Sequence, residues 1–464
     1  MRIPLVLTLA GALAGVILIV VVAQALIAPD LPLITEAVFS HEVISPNADG
    51  MEDIAVFSYT VSKTVTVSFT FEGSTGAVFA FRERALRAPN DYQVAFSGVV
   101  DGFSLPDDSF PDQVILRRVI PDDIYTWRLV AIDAASGAQD ERTGTLVIEG
   151  GDVPLPNISE FTVSPTDFTP NQDGINDRTQ INLFLEQDAD LSVYLLPPNG
   201  GQPLYLAERD EETLPHERGR HLYDYDGGVD LNADPPPDGE YTLMAEAQDA
   251  VGQQVRRSAV VTIRNGGKPF AEIVSQTAGV SVIFETRPWE ERFFASRDLP
   301  GDLIVRPTDP DILSRTTITM PVGDLLVFML TVENYSDVPI RTTGPQPGTV
   351  YEWDQRDSTL GATEEPGAWR VGIDCTTATI DYPWRWSLGN DDTLDVVTDP
   401  DTGIVYRYLP PGERAVVWGA IRMTRVEVRN PQTCWAGLIH EEVEVSLRNS
   451  RVGPREIRLV DANS

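Results

Sequence analysis

Two nine-residue stretches, "SPNADGMED" at residues 45–53 and "TPNQDGIND" at residues 169–177, carry one pattern. Asn47, Asp49, Gly50 and Asp53 reappear 124 positions later as Asn171, Asp173, Gly174 and Asp177. Short Asn and Asp side chains bond neighbouring backbone N–H groups, and Gly accepts positive φ, so the pattern describes a tight turn. The similarity extends well beyond the turn. "DDIYTWRLVAIDAASGAQ" (122–139) parallels "DGEYTLMAEAQDAVGQQ" (238–254), and the β-rich runs "GTLVIEG" (144–150) and "AVVTIRNG" (259–266) close the two copies. A turn, an alternating strand and a closing strand that recur together imply one module used twice.

Period-2 alternation identifies the modules as β-structure. "TVTVSFTFEG" places Val65, Val67, Phe69 and Phe71 on one face of a strand. "INLFLEQDADLSVYLL" does the same with Ile181, Leu183 and Leu185, then Leu191, Val193 and Leu195. Asn-Gly, Asp-Gly and Pro-Gly turns separate such runs, and beyond residue 30 no long segment has helical periodicity. The expected fold is all-β, with tandem sandwiches over 31–150 and 151–267. "GGDVPLPN" (150–157) and "NGGKP" (265–269) serve as linkers. Residues 268–464 differ in composition. They hold both cysteines and seven of the eight tryptophans, lack the repeated turn, and still contain strands such as "LLVFMLTVENYSDVPI" (325–340) and "AVVWGAIRMTRVEVRN" (415–430). A third, β-rich domain follows.

The N-terminus argues for location. Residues 4–28 carry no charge. As a helix at ~1.5 Å per residue they span the ~30 Å hydrocarbon core of a bilayer. Arg2 precedes the run, which keeps that end inside and leaves the remaining chain outside the cytoplasm. Residues 1–30 are thus read as a single transmembrane anchor. The alternative is a signal peptide cleaved near Ala23-Gln24-Ala25, which would make the protein secreted. Cys375 and Cys434 are then free to form a disulfide in an oxidising compartment. The formal net charge of −35 argues against nucleic-acid partners, whose phosphates require basic patches.

Three segments carry a family resemblance: "FTPNQDGIND" (168–177), "YDGG" (225–228) and "PDGEYT" (237–242). Together they resemble the Ig-like domain of the bacterial flagellar hook-capping protein, a pattern shared with C-terminal domains of gliding-motility and secreted surface proteins. The resemblance covers residues 38–266. The first copy departs from it by lacking a recognisable Tyr-Asp-Gly segment. It implies small Ig-like sandwiches used outside the cytoplasm and no particular chemistry.

The chemistry of the residues leaves two candidate sites. N-x-D-G-x-x-D is half of a calcium loop, with oxygen ligands at alternate positions and Gly at the bend. Asn47, Asp49 and Asp53, and Asn171, Asp173 and Asp177, are the candidate Ca²⁺ ligands, and Asp224 or Asp226 are available to complete the second set. The other reading is a turn held by side-chain-to-backbone bonds, since Ser45, Val56, Thr169 and Gln180 stand where a helix-loop-helix calcium site wants acids. "DYPWRWSLG" (381–389) supplies the second candidate. Trp384 and Trp386 lie on one strand face and, with Trp353 and Trp369, would form an aromatic platform for a glycan or peptide. The other reading is that they fill a sandwich core beside Cys375 and Cys434. No nucleophile-base pair or metal-ligand spacing stands out, and the chain is not expected to be an enzyme. The expected role is a membrane-anchored, cell-surface structural or interaction protein. The alternative is a carbohydrate- or cell-wall-binding protein, serving an enzyme complex.

Overall fold

The computed structural model describes residues 13–19, 31–106, 108, 112–151, 153–209, 214–276, 279–308, 316–400 and 402–461. Most of the apolar 4–28 segment, and with it the anchor or signal peptide, lies outside the described residues. Residues 13–19 are helical, with Leu13, Val16, Ile17, Leu18 and Ile19 exposed. Among the described residues no helix is long and apolar enough to cross a membrane.

From residue 31 onward the architecture is all-β. The first unit has a three-stranded sheet in the order Ile34–Phe39, Ala55–Val61, Asn90–Phe96. Against it lies a five-stranded sheet ordered Val43–Ile44, Gln139–Ile148, Asp123–Asp133, Val65–Glu72, Val78–Arg87. The alternation in 65–71 does what the sequence implies: Val65, Val67, Phe69 and Phe71 are buried while Thr66, Ser68 and Thr70 are half-buried. Phe57 stacks on Phe69 across the sandwich with ring centroids 4.3 Å apart, and Trp127 meets Phe57 edge-on at 5.2 Å.

The second unit repeats this plan. Ile158–Ser164, Thr179–Leu185 and Gly219–Tyr225 form the small sheet. Leu204–Tyr205, Asp190–Leu196, Gly239–Gln248 and Gln254–Ile263 begin the large one. The repetition reaches individual bonds. Tyr125 donates its hydroxyl to the Pro121 carbonyl at 2.7 Å, and Tyr241 donates to Pro237 at 2.8 Å. Both make the tyrosine corner found in sandwich folds. Asp122 accepts the N–H groups of Gly150 and Gly151, as Asp238 accepts those of Asn265 and Gly266.

The large sheet of the second unit also incorporates two strands from the first. Val114–Val119 pairs with Gln254–Ile263, and Val99–Asp101 pairs with Val114–Val119. Ile115 accordingly packs against the second unit's core. Two glutamines tie the connection. Buried Gln253 accepts the Val119 N–H and donates to the carbonyls of Val153 and Pro154, while Gln113 accepts the Ile158 N–H and donates to the Pro156 carbonyl. The linker is therefore stitched into both neighbours, a connection that no local sequence pattern marks.

The third unit packs two sheets around its own core. One is ordered Ala271–Val274, Leu325–Asn334, Arg414–Arg422, Val350–Glu352. The other is ordered Thr317–Pro321, Val452–Val460, Gln432–His440, Trp369–Cys375, Ile340–Thr342, Val405–Leu409, Asp395–Thr398. Leu326, Phe328, Leu330 and Val332 face this core, whereas Leu325 and Val327 face a second cluster with Phe293, Ile304, Val350 and Ala420. Burial on both faces explains the unbroken apolar run at 325–330.

Candidate functional site

The two repeated turns share a bonding plan in which the last Asp closes the turn. In the first, Asp53 Oδ1 accepts the N–H groups of Asn47 (3.1 Å) and Ala48 (2.8 Å), and Oδ2 accepts that of Gly50 (2.7 Å). Asn47 accepts from Asp49, and Asp49 accepts from Met51. In the second, Asp177 accepts from Asn171, Asp173 and Gly174, Asn171 from Asp173, and Asp173 from Ile175. The backbone takes positive φ at three alternating positions in each, 48, 50 and 52, then 172, 174 and 176. Side-chain oxygens here satisfy backbone donors that the turn would otherwise leave unpaired.

Asp224 and Asp226, the acids proposed to complete a second cation site, are engaged elsewhere. Asp224 accepts from Arg178 (2.8 Å) and Arg209 (2.7 Å), and Asp226 accepts the N–H groups of Gly228 and Asp230. Among the described residues no group of three or more His, Cys, Asp or Glu is arranged to hold a metal ion.

The two turns differ in their surroundings. The first is exposed; in the second Asn171 and Asp173 are buried. What covers them is the third unit. Arg341, 4% exposed, donates from Nε to the Asp173 carbonyl (2.6 Å) and from Nη2 to the Pro366 carbonyl (2.6 Å), while Nη1 pairs with Glu365 (2.7 Å). His440 donates from Nε2 to the Gln172 carbonyl at 2.8 Å, and the Tyr408 hydroxyl donates to Asp173 Oδ2 at 3.2 Å. Gly174 and Gly367 face each other, with φ of +81° and +76°. A Cβ on Gly174 would strike the Pro366 carbonyl, and one on Gly367 would strike the backbone of Asp173 and Gly174. The turn is thus a plug whose backbone carbonyls enter a socket of cationic and imidazole donors.

Burial dominates the electrostatics of this contact. It raises the Asp173 carboxyl above its ordinary range despite the Ile175 N–H, the Arg341 charge and the Tyr408 hydroxyl, all of which favour the anion. Burial, with the nearby Asp173 charge, pushes Asp177 up to about 6. Burial also lowers His440 to about 4, so the imidazole is neutral at pH 7. It stacks on Trp369 with centroids 4.4 Å apart.

The tryptophans do not form an exposed platform. Trp384 and Trp386 are almost fully buried and Trp369 is 5% exposed, all in the core of the third unit. Trp353 is partly buried and packs on Trp384 at 4.8 Å. Trp386 meets Phe328 and Tyr351 edge-on at 4.6 and 4.9 Å, and its Nε1 donates to the Thr349 carbonyl. Gly419 has no side chain where the Trp386 indole lies. The aromatic-platform expectation is corrected accordingly: these rings supply apolar area to a sandwich interior. Cys375 and Cys434 are bonded and sit opposite one another on the paired strands Trp369–Cys375 and Gln432–His440, with Cα atoms 4.0 Å apart.

Arg341, Pro366, Gly367, Tyr408 and His440 were not singled out from sequence. They lie between 168 and 268 positions from their partners in the turn. No local pattern marks residues that meet only after the two units dock.

No family model matches the chain, and no curated protein matches it. The solved structures that show similarity include these three. The fibronectin(III)-like modules of CbhA from Clostridium thermocellum are 12% identical, covering 49% of this chain and 93% of that one, with a TM-score of 0.18. A tetra-tandem repeat from the extending region of a large adhesion protein is 11% identical, covering 87% and 81%, with a TM-score of 0.17. A structure from a 1.5-MDa bacterial ice-binding adhesin is 9% identical, covering 93% and 99%, also with a TM-score of 0.17.

Proposed function

We propose that the chain is an extracytoplasmic structural protein, a stalk of joined β-sandwich units that carries its C-terminal unit away from a membrane. The 4–28 segment is its anchor, or its export signal if cleaved. The carrying observation is the seating of the 169–177 turn in the third unit. A flexible tether would need only the short linker, whereas here backbone carbonyls, a buried Arg and two opposed glycines fix one orientation. The continuous sheet between the first two units restrains the other junction. The resemblance to Ig-like surface domains and the large negative charge favour the same reading, since strong net charge keeps an exposed protein soluble and separate.

The two turns provide an internally controlled test. Gly174→Ala introduces a Cβ into the Pro366 carbonyl. Gly50→Ala creates the same positive-φ strain, at φ +85°, with nothing within 4 Å of the new Cβ. Small-angle scattering should show a broadened, more extended particle for Gly174→Ala and an unchanged profile for Gly50→Ala. Identical profiles for both variants would defeat the rigid-stalk reading. Protease treatment of intact cells, combined with N-terminal sequencing of the mature chain, tests the location. Protection of residues 31–464 from external protease in cells with a permeable envelope contradicts it.

A further inference from the structure

We propose that the cleft between the second and third units binds a neutral oligosaccharide. The cleft has a volume of about 460 Å³, within the range of small-ligand sites. The Pro235–Pro236–Pro237 triplet of the second unit lines it together with Phe270 and Tyr335 of the third. These two rings are 41% and 50% exposed, in contrast to the buried Trp384 and Trp386. Their centroids lie 6.2 Å apart with a 45° interplanar angle. The Tyr335 N–H donates to the Phe270 carbonyl at 2.9 Å, which fixes their relative position.

The polar groups around the cleft suit a sugar. Asp234 and Asp337 offer carboxylate acceptors and Lys268 an ammonium donor, alongside the apolar ring faces. Hydroxyl groups donate to carboxylates and accept from ammonium, while the C–H face of a pyranose covers an aromatic ring. Lys268 is oriented by its bond to the Asn232 side chain. It is one of only two lysines in the chain. The charge of −35 selects among sugars, because an acidic polysaccharide would be repelled by the whole surface. The walls belong to units whose orientation is fixed by the turn and its socket, so the cleft exists before ligand arrives and binding has little ordering to overcome. The cleft rests on the fixed orientation of the second and third units, which scattering tests independently of any ligand binding.

The test uses the full-length chain in detergent, titrated calorimetrically with cellotetraose and with tetra-N-acetylchitotetraose. Polygalacturonate and a proline-rich decapeptide are the comparison ligands. At least one neutral tetrasaccharide should bind saturably with Kd below about 1 mM. Phe270→Ala and Tyr335→Ala should each weaken that binding at least about tenfold, and Tyr335→Phe should retain it. Asp337→Ala, on the exposed rim, should weaken binding with an unchanged melting temperature, which separates loss of ligand contact from loss of fold. The proposal is overturned if neither tetrasaccharide binds saturably, if binding survives both ring truncations, or if only polygalacturonate or the peptide binds.

Discussion

A single carboxylate organises each repeated turn. Asp177 accepts three backbone N–H groups, and no other side chain in the turn reaches all of them. Removing a charged acceptor leaves buried donors unpaired, so Asp177→Ala should cost about 2 kcal/mol, measured by denaturant unfolding. Because the turn oxygens serve backbone donors, the melting midpoint should be the same in calcium and in chelator. A rise of several degrees with calcium would restore the ion-site reading of Asn47, Asp49, Asp53, Asn171, Asp173 and Asp177. The buried groups here also link stability to pH. Asp177 sits near 6 against an ordinary 3.8, so its contribution is full below pH 3.8 and declines as pH rises toward 6. His440 sits near 4 against 6.5, so its contribution is full above pH 6.5 and is lost as pH falls toward 4. The two slopes oppose each other in the wild type. His440→Gln removes one of them, and urea midpoints should then fall steadily from pH 4 to pH 6. The same slope in both proteins would show that His440 is not linked to folding.

At the scale of elements, the Trp369–Cys375 and Gln432–His440 strands form the centre of the third unit. They pair from Trp369–His440 through Cys375–Cys434, so the disulfide closes the end of a ladder already in register. The bond spans 59 positions of sequence. In the chain-entropy account such a loop contributes about 4 kcal/mol through the unfolded state. The Cys375→Ser/Cys434→Ser pair should therefore lower denaturant stability by roughly that amount. The first two units, whose cores contain no cysteine, should keep their unfolding midpoint. Trp386→Ala should cost about 3–5 kcal/mol, as expected for a large ring removed from a packed interior. A loss well under 1 kcal/mol, read from the same unfolding curves, would mean that the ring does not hold the two sheets together.

Across the whole molecule, the same nine-residue turn occupies two environments. The first copy meets solvent at residues 47–52, and the second is closed over by Arg341, Tyr408 and His440. The sequence by itself determined the local part of this. Alternation at 65–71 and 181–195 specified half-buried strands, because side chains on a strand must alternate faces. Asn, Asp and Gly at fixed spacing specified the turn, because the Asn and Asp side chains supply its bonds and Gly its tightest bend. The all-β class and the duplication followed from these. Tertiary structure decided the rest. Whether Trp384 and Trp386 line a surface or a core depends on what the opposite sheet brings, here Phe328 and Tyr351 from other strands. Whether a turn is free or seated depends on Arg341 and His440, which the chain returns to it from more than 160 positions away. Bonding within a few residues is written in residue type and spacing, whereas the partner of a buried face is set only when distant segments compete for it.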